Sequence, residues 1–136
     1  MTPFVVVENR TGQFISRGKQ VSEFWETLLS YDSSLSKDVG IVLDIQQLFT
    51  VTKEMFLNEL HEIPPKAIKG LHIHYRHRTP FLENEIPWEN VFEWLGNIKS
   101  EIFINPEVHH YRQAKDTISF CKHMIIEETP FVTVKG

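Results

Sequence analysis

The chain has 136 residues, of which 41% are hydrophobic and 24% charged, a composition that supports one folded domain around one core. Its formal net charge of -4 excludes a global positive field, so contact with nucleic acid would depend on the local basic stretch His74 to Arg78. One cysteine excludes an internal disulfide, and the lack of a membrane-length apolar run or a secretion signal favours the cytoplasm.

Strand-like and helix-like segments alternate along the chain. The strand segments are rich in β-branched residues, and the run over residues 3–8 is typical of a strand covered on both faces. The helical segments repeat apolar residues at i, i+3, i+4 and i+7, as a helix packed on one side requires. Strands are predicted at residues 3–8, 41–43, 68–73 and 101–105, and buried helix faces within 21–29, 55–63, 88–95 and 114–125.

This alternation predicts an α/β fold of four successive βα units with parallel strands joined by right-handed crossovers. The arrangement fits a small open sheet or four units of an eightfold barrel, and the length favours the open sheet because a complete barrel needs about 250 residues. We expect a single domain over residues 1–136. The tail 127–136 contains a short β-prone piece that the pattern does not place.

Metal-ligating side chains stand at the carboxyl ends of all four predicted strands. They are Glu8, Asp44, His72 with His74, and Glu107. In parallel α/β proteins these strand ends meet at one edge, where ligands bind. Three carboxylates and an imidazole are suitable ligands for Mn²⁺, Mg²⁺, Zn²⁺ or Fe²⁺. The pattern therefore predicts one divalent metal site.

Each of these residues also has a structural explanation. A single acid after a strand is more often a helix cap or an exposed loop residue, so the hypothesis depends on the repetition at all four strands. His72 and His74 point to the same strand face, so only one need be a ligand. Cys121 continues a buried helical stripe, which favours packing over chemistry. Trp94 is the tryptophan expected to be most exposed.

Five segments, in order, resemble the C-terminal half of the xylose isomerase-like barrel superfamily, which includes endonuclease IV and the sugar-phosphate isomerases and epimerases. The segments are VVVENRTGQF (5–14), VGIVLDIQQLF (39–49), IKGLHIHYRHRTP (68–80), ENEIPWENVFEWL (84–95) and IFINPE (102–107). The resemblance covers nearly the whole chain and implies half of a (β/α)8 TIM barrel.

The resemblance implies that Glu8, Asp44, His72 and Glu107 hold one metal ion, the same residues that the strand ends indicate. Glu8 and Glu107 are then the candidate catalytic bases. The substrate-binding candidates are Gln47, His74 and His77. Gln47 stands where the family commonly has a histidine, and Glu85 stands where it usually has a glycine. The acidic residue that usually follows the histidine of the third strand is missing, since Tyr75 and Arg76 occupy that region. These departures argue against a multi-metal nuclease site and leave a single-metal site with its four ligands.

The expected function is a metal-dependent sugar or sugar-phosphate isomerase or epimerase that transfers a proton next to a metal-bound carbonyl. The alternatives are an endonuclease IV-like phosphodiesterase acting on abasic DNA and a degenerate, non-catalytic barrel subunit. Half a barrel leaves strand edges unpaired, which predicts a homo-oligomer or a partner chain that carries the N-terminal half. Nucleic acid is the less expected partner, and the substrate is expected to be a small sugar.

Overall fold

The computed structural model describes residues 5–82, 84–98, 101–128 and 133–134. The chain divides into two compact units, Met1–Lys69 and Gly70–Gly136. The division falls inside a strand, between Lys69 and Gly70. Each unit is described by itself below, and the single domain expected from the sequence stays a prediction.

The first unit alternates strands and helices and begins the third strand. Its elements are β1 (Val5–Glu8), α1 (Gly18–Tyr31), β2 (Val39–Asp44), α2 (Ile45–Thr52), α3 (Phe56–Glu62) and the start of β3 (Ile68–Ile73). β1 and β2 are parallel, with Val5 opposite Val39 and Glu8 opposite Val42. This register carries both strands towards the same end of the pair, where Glu8 and Asp44 are their last residues.

Helices α1 and α3 of the first unit pack closely. A Cβ atom at Gly18 would overlap the Glu59 carbonyl oxygen, so glycine is needed where α1 begins. Glu59 itself is 5% exposed. Arg17 donates to its Oε2 from Nε, at 2.7 Å, and from Nη2. Because a buried carboxylate is costly unless it is paired, this bidentate contact makes the close packing possible.

The second unit holds the rest of β3 together with α4 (Trp88–Leu95), β4 (Phe103–Pro106), α5 (Tyr111–Glu128) and β5 (Thr133–Val134). β4 is parallel to both β3 and β5, with His72 opposite Asn105 and Ile104 opposite Val134. Helices α4 and α5 meet through Phe120, whose ring packs edge-on against Trp88 and Phe92. The β-prone piece of the tail is therefore a strand beside β4.

The α/β class, with parallel strands alternating with helices, is confirmed. Helix α4 follows the prediction closely, since it is preceded by Pro87 and capped by Gly96. None of the helices in the described part of the chain combines the length and apolarity needed to cross a bilayer.

Three details of the prediction are wrong. The apolar run in β1 is not covered on both faces, because Val5 and Val6 keep about half of their surface exposed. Met55, assigned to a buried helix face, lies in a short 3₁₀ turn between α2 and α3 and is 44% exposed. Trp94, expected to be exposed, is 3% exposed because α4 buries almost all of its apolar side chains.

Candidate metal centre

In the first unit, Glu8 and Asp44 place their carboxylates close together. They are the last residues of the parallel strands β1 and β2, and each offers an oxygen within 4.8 Å of the other. Asp44 is 2% exposed, whereas Glu8 is partly exposed. Two carboxylates this close repel one another, so the arrangement suits a cation between or beside them.

Asp44 also begins helix α2. Its Oδ1 accepts a hydrogen bond from the Gln47 backbone N–H at 3.0 Å, which makes it the N-cap residue. This explains why an apolar strand ends in an acid, and it confirms that the structural explanation holds for this residue. A carboxylate has about four lone-pair sites on its two oxygens, so capping and metal ligation are compatible.

Asn9 is a supporting residue that the sequence reasoning missed. Its side chain is fully buried, and its Nδ2 donates to the Asp44 carbonyl oxygen at 3.1 Å. In return, the Asp44 N–H donates to Asn9 Oδ1 at 2.7 Å. One amide therefore replaces a strand partner for the backbone of Asp44 and holds this residue in place. The sequence shows only an asparagine directly after Glu8, and nothing nearby indicates its contact with Asp44, which lies 35 residues further along the chain.

Gln47 contacts the loop that follows β1. Its Oε1 accepts from the Thr11 N–H at 2.9 Å and from the Thr11 hydroxyl at 2.5 Å. The Gln47 amide therefore ties this loop to α2. Substrate binding by Gln47 stays a prediction.

In the second unit, His72 and Glu107 form the matching pair. His72 lies near the end of β3, and Glu107 follows the last residue of β4. The Glu107 N–H donates to the Ile73 carbonyl at 3.1 Å, which continues the strand pairing by one residue. As a result, His72 Nδ1 lies 3.0 Å from Glu107 Oε2.

Glu107 Oε2 is buried and has no hydrogen-bond partner within the described ranges. His72 Nδ1 lies within ion-pair distance of this oxygen but makes no hydrogen bond to it. A buried polar atom without a partner is costly and needs an explanation. Two ligands about 2.1 Å from one ion and about 90° apart are separated by about 3.0 Å, so this ion-pair distance also fits two neighbouring ligands of a metal.

Three histidine rings form a stack beside Glu107. The His77 ring lies parallel to those of His74 and His109, with centroids 4.7 and 4.4 Å away. His74 is 1% exposed, its Nδ1 accepts from the His77 N–H at 3.0 Å, and its Nε2 lies 3.9 Å from Glu107 Oε2. These contacts place His74 and His77 next to a candidate ligand. His109 lies in the loop between β4 and α5, and no local pattern in the sequence indicates its place in the stack.

The tight turn Tyr75–Arg78 carries one ring of this stack. Tyr75 and Arg78 exchange two backbone hydrogen bonds of 2.8 and 3.0 Å. The central residues, Arg76 and His77, have φ values of 52° and 62°. Such turns favour asparagine and glycine, so two long side chains here are unusual. Backbone strain of this kind is concentrated at functional sites.

Comparisons with known protein families, with curated proteins and with solved structures find no match for this chain. The candidate centre is therefore interpreted from the geometry of its own side chains.

Proposed function

We propose that the chain is a metal-dependent sugar or sugar-phosphate isomerase or epimerase built as half of a (β/α)8 barrel. In this proposal Glu8, Asp44, His72 and Glu107 share one divalent ion. The observation that carries it is Glu107 Oε2, a buried anionic oxygen that lacks a hydrogen-bond partner in the described part and lies 3.0 Å from an imidazole nitrogen. A cation would satisfy that oxygen and offset the repulsion between Glu8 and Asp44.

The donor set fits such an ion. Three carboxylates and one imidazole suit Mn²⁺, Mg²⁺, Zn²⁺ or Fe²⁺, and each pair offers its ligand atoms at the end of a rigid strand. When bound, the ion would polarise a substrate carbonyl and stabilise the negative charge that develops on its oxygen.

The carboxylates divide into two roles according to exposure. Asp44 is 2% exposed and caps α2, so it would act only as a ligand. The side chain of Glu107 is 36% exposed, and Glu8 is also partly open to solvent. One of these two would take a proton from the carbon beside the substrate carbonyl and return it to the same or the neighbouring carbon.

The remaining candidates would position the substrate. His77 is partly exposed and is held by its stack, so it can present a ring nitrogen to a substrate hydroxyl. The fully buried His74 would act through the turn that it supports. Gln47 would contact a hydroxyl with the amide that also accepts from Thr11.

Metal binding tests the proposal directly. Protein stripped with chelator and titrated with Mn²⁺ or Zn²⁺ in a calorimeter should bind one ion per chain. Asp44→Asn and Glu107→Gln should each weaken binding more than about tenfold, since each removes an anionic ligand. Glu89→Gln, which changes an exposed carboxylate on α4, is the control and should leave binding unchanged.

The same titration asks whether the two pairs share one ion. If Asp44→Asn leaves the affinity at His72 and Glu107 intact, or if wild-type protein binds no ion, the proposed centre is wrong.

Activity is tested by proton exchange. Ketoses and their phosphates in D₂O should gain deuterium at the carbon beside the carbonyl, and Glu8→Gln or Glu107→Gln should abolish this exchange.

The same protein preparations distinguish the proposed isomerase or epimerase from two alternative functions. Incision of an abasic-site duplex without deuterium exchange would favour an endonuclease IV-like phosphodiesterase. Metal-free protein without either activity would favour a non-catalytic barrel subunit. We also propose that the barrel is completed by a second copy or by a separate chain carrying the other half, and the molar mass in solution tests the first possibility.

A further inference from the structure

A pocket of about 650 Å³ opens in the second unit, beside the tight turn Tyr75–Arg78. Its lining consists of Tyr75, Arg76, Arg78, Thr79, Phe81 and Gln113. The volume lies within the range of about 300–1,000 Å³ that is typical of small-molecule sites. The candidate metal ligands are not part of this lining, so the pocket is distinct from the metal centre itself.

The charge around the pocket favours an anion. Arg76 and Arg78 contribute two guanidinium groups, which bind phosphate oxygens through paired N–H donors. Gln113 lies in the first turn of α5, a turn without acidic residues, so the positive end of the helix dipole adds to the field. Arg76 Nη2 lies 3.7 Å from Glu85 Oε1, but both side chains are more than half exposed, and such a pair is weak.

The loop that carries the arginines is fastened to α5. The Thr79 N–H donates to Gln113 Oε1 at 2.7 Å, and the Thr79 hydroxyl donates to the Gln113 carbonyl at 3.1 Å. The hydroxyl of the buried Thr117 donates to the same carbonyl at 2.6 Å. Because these bonds fix the loop, less ordering would be needed when a ligand binds.

The left-handed backbone at Arg76 and His77 also indicates that this turn has a function. A turn of this kind would be less strained with glycine, yet the chain keeps an arginine and a stacked histidine there. One strained residue faces the pocket and the other contacts His74 and the Glu107 carbonyl. The turn thus links a basic pocket to the His72 and Glu107 pair.

We infer that this pocket binds the phosphate group of a small phosphorylated substrate, an inference that rests on the proposed isomerase or epimerase function. The guanidinium groups of Arg76 and Arg78 hold the phosphate, and Tyr75 and Phe81, in edge-to-face contact at 5.6 Å, supply apolar surface beside it. A small phosphate ester fits better than a nucleic acid backbone, because the chain carries a net charge of -4 and the basic surface is confined to one pocket.

The test uses metal-free protein, so that it does not depend on the proposed metal centre. Affinities for inorganic phosphate, glucose 6-phosphate and glucose are measured by calorimetry. Glucose 6-phosphate should bind at least about tenfold more tightly than glucose, because glucose cannot make the charge-assisted hydrogen bonds that a phosphate group makes with arginine. Arg78→Ala should remove most of this preference and Arg78→Lys should restore only part of it, since lysine lacks the paired donors.

Two further variants sharpen the result. Lys122→Ala removes an exposed positive charge from α5 away from the pocket and should change nothing. Glu85→Gln removes the carboxylate that competes for Arg76 and should raise the phosphate affinity by roughly twofold to threefold.

Equal affinity for glucose and glucose 6-phosphate would overturn the inference, as would equal losses in Arg78→Ala and Lys122→Ala. Tighter binding of an abasic-site duplex than of glucose 6-phosphate would overturn it in favour of nucleic acid. If the metal titration fails while the phosphate preference persists, the proposed centre is wrong and the phosphate site stands.

Discussion

In the unit Met1–Lys69 hydrogen bonds support the strand-end carboxylate Asp44, whereas in the unit Gly70–Gly136 Glu107 keeps a buried oxygen without a hydrogen-bond partner in the described chain. Asp44 caps α2 and has both of its backbone groups bonded to Asn9. Glu107 has an imidazole nitrogen 3.0 Å away in a geometry that makes no hydrogen bond. Asp44 is thus fixed by three hydrogen bonds within its unit, whereas Glu107 Oε2 has an imidazole nitrogen nearby but no hydrogen bond in the described chain.

The two units also differ in the residues that adopt positive φ values in their turns. In the first unit the left-handed turn after β1 contains Gly12, which adopts φ 79° without strain. In the second unit Arg76 and His77 occupy such positions. Lys53 is an exception in the first unit, with φ 49° at the end of α2. The comparison teaches that the left-handed backbone at two long side chains and the carboxylate oxygen without a hydrogen bond both occur in the second unit.

The largest effect is expected from Asn9→Ala. This change removes both hydrogen bonds that Asn9 makes to the Asp44 backbone, which should lower the free energy of unfolding by about 2–3 kcal/mol. Urea denaturation of metal-free protein measures it, and Asn58→Ala, an exposed asparagine on α3, is the matched control. A loss no greater than in the control would show that the scaffold does not depend on Asn9.

Glu107→Gln should have the opposite sign. Replacing the carboxylate with a neutral amide removes an anionic oxygen that has no hydrogen-bond partner in the described chain, so metal-free protein should become about 1 kcal/mol more stable. The same denaturation experiment, with chelator present, checks this. Destabilisation by this variant would mean that Glu107 contributes to folding as Asp44 does, and the contrast between the units would disappear.

Lys53→Gly should stabilise the protein by about 1 kcal/mol, because glycine adopts φ 49° without strain and the lysine side chain is exposed. Thermal unfolding measures the gain. The parallel change His77→Gly should gain less, since it also removes the stack with His74 and His109. An equal gain at both positions would indicate that the stack contributes nothing to stability.

The last prediction concerns chemical reactivity rather than stability, at Cys121 in α5. Burial raises the pKa of its thiol from the ordinary 9.0 to about 12, so the reactive thiolate is scarce at pH 8. Alkylation by iodoacetamide should be slower than in unfolded protein by a factor on the order of 1,000. Rapid labelling of folded protein would show that α5 opens readily and that the second unit is less well packed than its buried side chains indicate.

The sequence by itself determined the α/β class and the positions of the candidate ligands. Apolar periodicity is a local property, so β3 and α4 could be predicted from neighbouring residues. Parallel strands end at a common edge, so acids after successive strands could be predicted to serve one site. Helix α2 was missed although Asp44 and Gln47 form a local capping pattern, because the strand signal before them was stronger.

Only the tertiary structure decided what surrounds each candidate residue. Asn9 reaches a backbone 35 residues away, and His77 stacks on a histidine 32 residues further along the chain, so neither contact has a local pattern. The lack of a hydrogen bond to Glu107 Oε2 could not be predicted from the sequence either, since it depends on which atoms β3 and β4 bring together. Hydrogen bonding and burial depend on residues that are distant in the sequence and become neighbours only in the folded chain.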